Sequence, residues 1–78
     1  MPQMIVKDNE LIRICPTNHN KIEYSTSQGR VWITRCINGF YGEFLDLVVC
    51  GNELLATTEK ALLYSTNNGR TWLLRKRN

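Results

Sequence analysis

The sequence predicts an all-β protein built from two tandem four-stranded antiparallel repeats. The first observation is a repeated stretch: residues 24–32 read Tyr-Ser-Thr-Ser-Gln-Gly-Arg-Val-Trp, and residues 64–72 read Tyr-Ser-Thr-Asn-Asn-Gly-Arg-Thr-Trp, an offset of 40 residues. A period of this length is typical of a four-stranded β unit. The second observation is that short β-prone runs alternate with clusters of turn residues, whereas helical periodicity is poor throughout the chain.

Each repeat divides into four predicted strands. The triplet Asn-Glu-Leu at 9–11 recurs at 52–54. The segment from this triplet to the repeated Tyr is three residues longer in the first copy than in the second, and we place the extra residues in the loop 16–20. The predicted strands are 4–7, 10–15, 21–25 and 31–36, then 44–50, 53–58, 61–65 and 71–76. In the fifth run, alternation places Leu45, Leu47 and Val49 on one face and Asp46 on the other. The chain 1–78 is one domain with repeats 1–36 and 37–78.

A tight turn, which we call the corner, joins the third and fourth strands of each repeat at residues 25–32 and 65–72. Gly29 and Gly69 supply the positive φ that a tight turn requires. Asn67 is expected to bond its own backbone two residues on and to tolerate the left-handed region. Trp32 and Trp72 each begin a return strand, and both rings are expected in the core, where they bury a large apolar area.

These corners resemble the Asp-box, or BNR repeat, of sialidase-like, sortilin-like and photosystem-assembly-factor β-propellers. The second copy matches Ser-x-Asp-x-Gly-x-Thr-Trp at Ser65, Gly69, Thr71 and Trp72, with Asn67 at the Asp position. The first copy matches at Ser25, Gly29 and Trp32, and carries Ser27 and Val31 at the other two positions. The resemblance implies propeller-blade-like sheets with a structural turn at the periphery. It implies no activity, and the catalytic set of the sialidases, which needs a full propeller, is not carried over.

Two blade-like sheets leave the question of how their outer faces are covered. A chain of 78 residues buries only roughly 60% of its unfolded surface, and two blades do not close a ring. Copies could associate, three of them forming a six-bladed ring. Alternatively, the two sheets could pack face to face as a sandwich within a monomer. The sequence favours neither strongly, with a slight preference for oligomerisation.

The composition of the chain says more about the environment of the protein than about its function. Ten basic and seven acidic residues give a net charge of +3, which is ordinary for a small domain. No run has the length of a membrane span or the apolar core of a signal peptide, so we expect a cytoplasmic protein without a membrane partner. Cys15, Cys36 and Cys50 lack zinc or disulfide-framework spacing and are interpreted as reduced, buried small hydrophobes. The lone His19 is interpreted as an exposed loop residue. We expect no metal and no cofactor.

Two sets of residues are candidates for binding. Arg30 and Arg70 occupy equivalent corners, and Arg35 and Arg75 occupy equivalent return strands. They could form a basic stripe for nucleic acid or an acidic partner, or a charged edge that discourages strand pairing. The connector 38–42 places Phe40 and Tyr41 between two glycines. These rings could anchor the packing of the two repeats or form an exposed contact for sugar, peptide or base.

The resulting functional prediction is a small non-enzymatic binding module, acting in protein recognition or self-assembly. A lectin-like oligomer that binds carbohydrate is one alternative, and nucleic-acid binding through the basic stripe is another. Catalysis is the least favoured class, because the sequence has neither a Gly-rich phosphate loop nor a supported Ser, His and Asp arrangement.

Overall fold

The computed structural model describes residues 4–37 and 40–77. Within these residues there are eight strands and no helix, which confirms the all-β prediction. The strands are β1 (Met4–Lys7), β2 (Glu10–Ile14), β3 (Lys21–Ser25), β4 (Ile33–Ile37), β5 (Phe44–Cys50), β6 (Glu53–Thr58), β7 (Ala61–Ser65) and β8 (Leu73–Arg77). Strands β1 to β4 form one antiparallel meander, sheet 1, and β5 to β8 form a second, sheet 2. Neither sheet closes on itself in the described part of the chain.

The predicted strand bounds are right for five of the eight strands and differ for the other three. Strand β2 ends one residue early, at Ile14, and β4 and β8 begin at Ile33 and Leu73 rather than at residues 31 and 71. Trp32 and Trp72 therefore precede their return strands instead of beginning them. Strand β4 also extends to Ile37, one residue beyond the predicted end of the first repeat.

Side chains that face each other across the strands divide each sheet into two faces, because directly paired antiparallel residues point to the same side. We call the front face of sheet 1 the side formed by two cross-strand rows: Ile5, Ile12, Tyr24 and Ile33, then Ile14, Ile22 and Cys36. The equivalent front rows of sheet 2 are Val48, Leu55, Tyr64 and Leu73, then Asp46, Thr57, Leu62 and Lys76. The opposite side of each sheet is its back face.

The core lies between the front face of sheet 1 and the back face of sheet 2. Sheet 1 contributes Ile12, Ile14 and Ile22, all buried. Sheet 2 and its corner contribute Phe44, Leu47, Leu54, Ala56, Ala61, Leu63 and Trp72. The sheets thus pack face to face, which is compatible with the sandwich alternative, but through non-equivalent faces. As a result, the back face of sheet 1 and the front face of sheet 2 are outward.

A β-bulge in β5 interrupts the predicted alternation of that strand at Leu45. Phe44 pairs with Thr58 and Asp46 pairs with Thr57, so Leu45 is an extra residue without a partner of its own. Beyond the bulge, Leu47 is fully buried, whereas Leu45 and Val49 are exposed. The prediction that Leu45, Leu47 and Val49 share one face was therefore wrong for Leu45, because the extra residue breaks the period of two. Leu47 and Val49 do share the back face, with Asp46 on the front face.

The two return strands carry equivalent bulges. In β4, Cys36 pairs with Ile22 and Thr34 pairs with Glu23, which leaves Arg35 as the extra residue. In β8, Lys76 pairs with Leu62 and Leu74 pairs with Leu63, which leaves Arg75 as the extra residue. A bulge bends its strand and redirects the side chain at that point. In both repeats, a bulge in the fourth strand thus orients an arginine.

Candidate interaction surface

The two corners share one hydrogen-bond pattern. Ser25 Oγ accepts the backbone N–H groups of Ser27 and Gly29 at 3.2 and 2.9 Å. Ser65 Oγ accepts those of Asn67 and Gly69 at 3.3 and 2.9 Å. The buried hydroxyl therefore satisfies two backbone donors that the turn removes from the sheet.

Asn67, at the third position of the second corner, does not act as the sequence predicted. Asn67 Oδ1 accepts the backbone N–H of Thr71, four residues on, at 2.9 Å, rather than one two residues on. Ser27 Oγ accepts the N–H of Val31 in the same way at 3.0 Å. The left-handed residue is also not Asn67 but Asn68, with φ of 62°, followed by Gly69 at 90°. Serine thus substitutes for asparagine at this position without loss of the contact.

The two tryptophans have different surroundings. Trp72 is buried and packs against Phe44, with 5.7 Å between the ring centroids. Trp32 is only half-buried, and the guanidinium carbon of Arg13 lies 3.9 Å from its ring centroid on the back face of sheet 1. The prediction that both rings belong to the core is correct for Trp72 and wrong for Trp32, which is covered by a charged side chain instead of a second sheet.

Each bulge places its arginine on a tyrosine and beside a glutamate. The guanidinium carbon of Arg35 lies 3.7 Å from the centroid of Tyr24, and its two terminal nitrogens donate to the Glu10 carboxylate at 2.7 and 3.0 Å. In the second repeat, Arg75 lies 4.3 Å from the centroid of Tyr64 and donates to Glu53 at 2.9 Å. The sequence showed that each residue type recurs, but not that the three side chains meet.

The two arginine sites differ in what covers them. The Arg35 side chain is only 3% exposed, and its guanidinium also donates to the backbone carbonyl of Asn68 in the second corner at 3.1 Å. The hydrogen bond from Arg35 lowers the pKa of the Glu10 carboxyl below its usual value, and the same bond raises the pKa of Arg35. The Arg75 side chain, in contrast, is 42% exposed. The first site is covered by the second repeat, and the second site faces outward.

The front face of sheet 2 keeps one of the two apolar rows of its covered counterpart. Val48 and Leu73, at the two ends of one row, are 43% and 48% exposed, and Leu55, Leu62 and Tyr64 are half-buried. The equivalent residues Ile12 and Ile22 of sheet 1 are fully buried. An apolar patch of this kind, bordered by charged residues, is typical of a binding surface.

The outward back face of sheet 1 is of the opposite character. Its central row is Met4, Arg13, Glu23 and Thr34, whereas the equivalent row of sheet 2 is Leu47, Ala56, Leu63 and Leu74. The Arg13 and Glu23 side chains form an ion pair at 2.9 Å, and Lys21 approaches Glu23 at 3.8 Å. Such a network is satisfied within the sheet. The neighbouring row of this face is Val6, Leu11 and Ser25, so the back face of sheet 1 has a charged centre beside an exposed apolar residue, Val6.

The connector between the sheets divides its two aromatic residues. Tyr41 packs against the core, and its carbonyl accepts the Lys60 backbone N–H at 3.1 Å. Phe40 is 78% exposed and meets Tyr41 edge to face, with 5.0 Å between centroids. With Glu59, Lys60 and Arg77 they line an open cavity of about 370 Å³. Tyr41 therefore packs against the core, and Phe40 is the exposed ring of the pair. Asn38 and Gly39 lie outside the described residues.

Gly42 fixes the approach of this connector to the second sheet. Its φ is 87°, and a Cβ at this position would lie 2.6 and 2.8 Å from Glu59 Oε1 and Cβ. The Glu59 carboxylate accepts the Glu43 backbone N–H at 2.8 Å. The absence of a side chain at Gly42 thus lets the connector dock on the turn between β6 and β7.

The four repeated arginines do not form one exposed stripe. Arg30 and Arg70 are exposed at the corners, where Arg70 donates to the Asn67 carbonyl at 3.0 Å. Arg35 and Arg75 are held by carboxylates. A phosphate-binding surface would therefore have to use Arg30 and Arg70 without Arg35 and Arg75.

The remaining candidates are the histidine and the cysteines. His19 is half-buried, and its Nδ1 lies 3.9 Å from Glu43 Oε1. All three cysteines are free thiols. Cys15 is buried, and burial raises the pKa of the half-buried Cys36, but Cys50 is exposed, contrary to prediction.

Among the described residues, no group of three or more His, Cys, Asp or Glu side chains could hold a metal ion, and no helix could cross a membrane.

We also compared the chain with known proteins. Neither protein-family models, nor curated sequences, nor solved structures give a match. The resemblance of the two corners to the Asp-box therefore stays a prediction, based on the residues of the corners themselves.

Proposed function

We propose that the chain is a non-catalytic protein-interaction module that binds its partner through the front face of sheet 2. One observation carries the proposal: this face has one apolar row, Val48, Leu55, Tyr64 and Leu73, and the Arg, Tyr and Glu cluster found on the covered face of sheet 1, but no sheet of the described chain lies on it. Burial of such a face is favourable by about 25 cal/mol per Å² of apolar surface. A partner can thus cover the front face of sheet 2 as sheet 2 itself covers the front face of sheet 1.

The composition of the surface supports this function. Val48, Leu55 and Leu73 form a central row with Tyr64, and charged side chains of both signs surround it. An apolar centre with an aromatic residue and a polar rim is the usual anatomy of a protein interface. Arg75 stacks on Tyr64, and arginine and tyrosine are among the residues that contribute most binding energy in interfaces.

Two matched double variants test the proposal. Val48 and Leu73 lie on the front face, and their chain neighbours Val49 and Leu74 lie on the back face with similar exposures of 40% and 42%. A tagged Val48→Lys, Leu73→Lys protein should lose a partner that wild type and Val49→Lys, Leu74→Lys retain in cell lysate, as measured by quantitative mass spectrometry. If every retained protein is insensitive to the front-face variant, the proposal is wrong.

A second candidate function is carbohydrate binding at the connector. The observation that favours it is the exposed ring of Phe40 beside a cavity lined by Glu59, Lys60 and Arg77. An aromatic surface next to a few polar groups suits a sugar ring. Binding on a glycan array should be lost with Phe40→Ala and kept with Val31→Ala, an exposed corner residue. An array without signal for the wild type contradicts this candidate.

A further inference from the structure

We infer that the partner of the front face of sheet 2 is a second copy of this chain, placed front face to front face about a two-fold axis. This inference rests on the proposed function and specifies its partner. A second copy has two ways to cover this face: it could continue the stack of the two sheets, or it could present the same front face.

Continuation of the stack is disfavoured by the residues it would bury. Sheet 2 covers sheet 1 with Ala56, Ala61 and Leu63. The face that would take this role in the next copy is the back face of sheet 1, where the equivalent residues are Arg13, Lys21 and Glu23. Burial of ion-paired charges carries a desolvation cost that their attraction often fails to offset. A ring of three copies needs this contact at every junction, so the same argument disfavours the ring.

The front face of sheet 2, in contrast, is complementary to itself. Asp46 lies at one end of a cross-strand row and Lys76 at the other, with Thr57 and Leu62 between them. A two-fold axis parallel to the strands places β5 of one copy over β8 of the other. Asp46 then lies opposite the Lys76 of the second copy, and the symmetry forms this pair twice.

The apolar row fits the same axis. Val48 then lies opposite Leu73, and Leu55 lies opposite Tyr64, whose ring carries the Arg75 guanidinium. Aliphatic side chains thus meet at both ends of the row, and Leu55 meets the Arg75 and Tyr64 stack at its centre. An axis across the strands keeps β5 over β5 and leaves the Asp46 and Lys76 charges a sheet's width apart. The charges therefore select the axis parallel to the strands, as complementary charges commonly set the register of an interface.

The size of the face sets the expected strength. Four strands of this length span roughly 20 by 17 Å, so two copies bury on the order of 1,000 Å² in total, the lower limit for a specific interface. We expect a reversible dimer with a dissociation constant in the micromolar range, about 1 to 100 μM.

Sedimentation of the purified chain tests the inference. Between about 1 and 500 μM, which brackets that range, the wild type should change from monomer to dimer. The Val48→Lys, Leu73→Lys variant should stay monomeric, and Val49→Lys, Leu74→Lys should dimerise like the wild type. Far-UV circular dichroism checks that each variant is folded.

Charge reversal tests the axis. Asp46→Lys and Lys76→Asp should each weaken the dimer by about tenfold or more, because each places like charges opposite each other. An equimolar mixture of the two variants should form a heterodimer, since position 46 of each variant then lies opposite a position 76 of opposite charge. The two positions lie at opposite edges of one sheet, so rescue on mixing reports a contact between copies.

Each other result contradicts the inference in an identifiable way. A wild type that is monomeric at every concentration excludes the second copy as partner but leaves the proposed function standing if the lysate experiment finds another protein. A trimer, or a dimer lost only with the back-face variant, excludes the front-to-front arrangement. A dimer whose charge variants are not rescued by mixing excludes the axis.

Discussion

At the residue scale, the corners depend on one buried hydroxyl in each repeat. Ser65 is almost fully buried, and its Oγ is the acceptor for the N–H of the buried Gly69. Asn67 is exposed, and its Oδ1 accepts the Ser65 hydroxyl at 2.8 Å and the N–H of Thr71 at the surface, where water can replace the amide oxygen. The position that defines the Asp-box resemblance is therefore less critical than the serine that precedes it.

Substitution of Ser65 and of Asn67 should show that the serine contributes more to stability than the asparagine. We expect Ser65→Ala to lower the free energy of unfolding by about 1–3 kcal/mol, the cost of a buried unsatisfied donor. Asn67→Ala should cost about 1 kcal/mol or less. Urea unfolding followed by circular dichroism measures both values. An equal or larger effect of Asn67→Ala would show that its side chain, and not the serine hydroxyl, holds the corner.

The tryptophans provide a second residue-scale prediction. Trp72→Ala should cost roughly 3 to 5 kcal/mol, as expected for a large core ring, whereas Trp32→Ala should cost about 1–2 kcal/mol, because it loses a half-buried ring and its contact with Arg13. Trp72→Phe should be milder than Trp72→Ala, since Trp72 Nε1 has no hydrogen-bond partner within the described residues. Denaturant midpoints compare the three variants. Equal losses at Trp32 and Trp72 would contradict the difference in packing.

At the element scale, the number and order of the strands could be predicted from the sequence, but the bulges could not. Turn residues mark where strands end, and a repeat marks which strands correspond. A bulge, in contrast, depends on pairing with the neighbouring strand, so Leu45 was placed on the wrong face. The contact of Arg35 with Glu10 escaped prediction for the same reason, because it spans β2, β3 and β4.

The glutamates beside the bulges should differ in their contribution to stability. Glu10→Gln removes a charge that pairs with the buried Arg35, so we expect a loss of about 1–3 kcal/mol at neutral pH. Glu53→Gln, beside the exposed Arg75, should cost about 1 kcal/mol or less. Thermal denaturation of the two variants measures the difference, and similar losses would contradict the role of burial.

The pH dependence of this contact follows from the lowered pKa of Glu10. A carboxyl whose pKa is lower in the folded state stabilises the protein above its unfolded pKa, about 4.3 for glutamate, and loses that contribution as the pH falls toward the folded value. The wild type should therefore lose its advantage over Glu10→Gln on acidification below about pH 4. A stability difference that stays constant down to about pH 2 would exclude the ion pair as its source.

At the scale of the whole molecule, the two repeats are bound by one core rather than two. Sheet 1 has its buried core residues on the face that contacts sheet 2, and the centre of its other face is an ion-paired network. Removal of sheet 2 exposes Ile12, Ile14 and Ile22 together. Because each repeat supplies half of the same core, neither has an apolar interior of its own, and we expect them to unfold together.

Each repeat contains one tryptophan, so each can report on its own half. In Trp32→Phe the fluorescence comes from Trp72 in the second repeat, and in Trp72→Phe it comes from Trp32 in the first. Within each variant, the fluorescence transition in urea should coincide with the circular dichroism transition of the whole chain, which is the signature of a single cooperative unit. Comparison within one variant removes the effect of the substitution on overall stability. A fluorescence midpoint displaced from the circular dichroism midpoint in either variant would mean that one sheet survives without the other, and the stability of the molecule would then lie in its repeats and not in the contact between them.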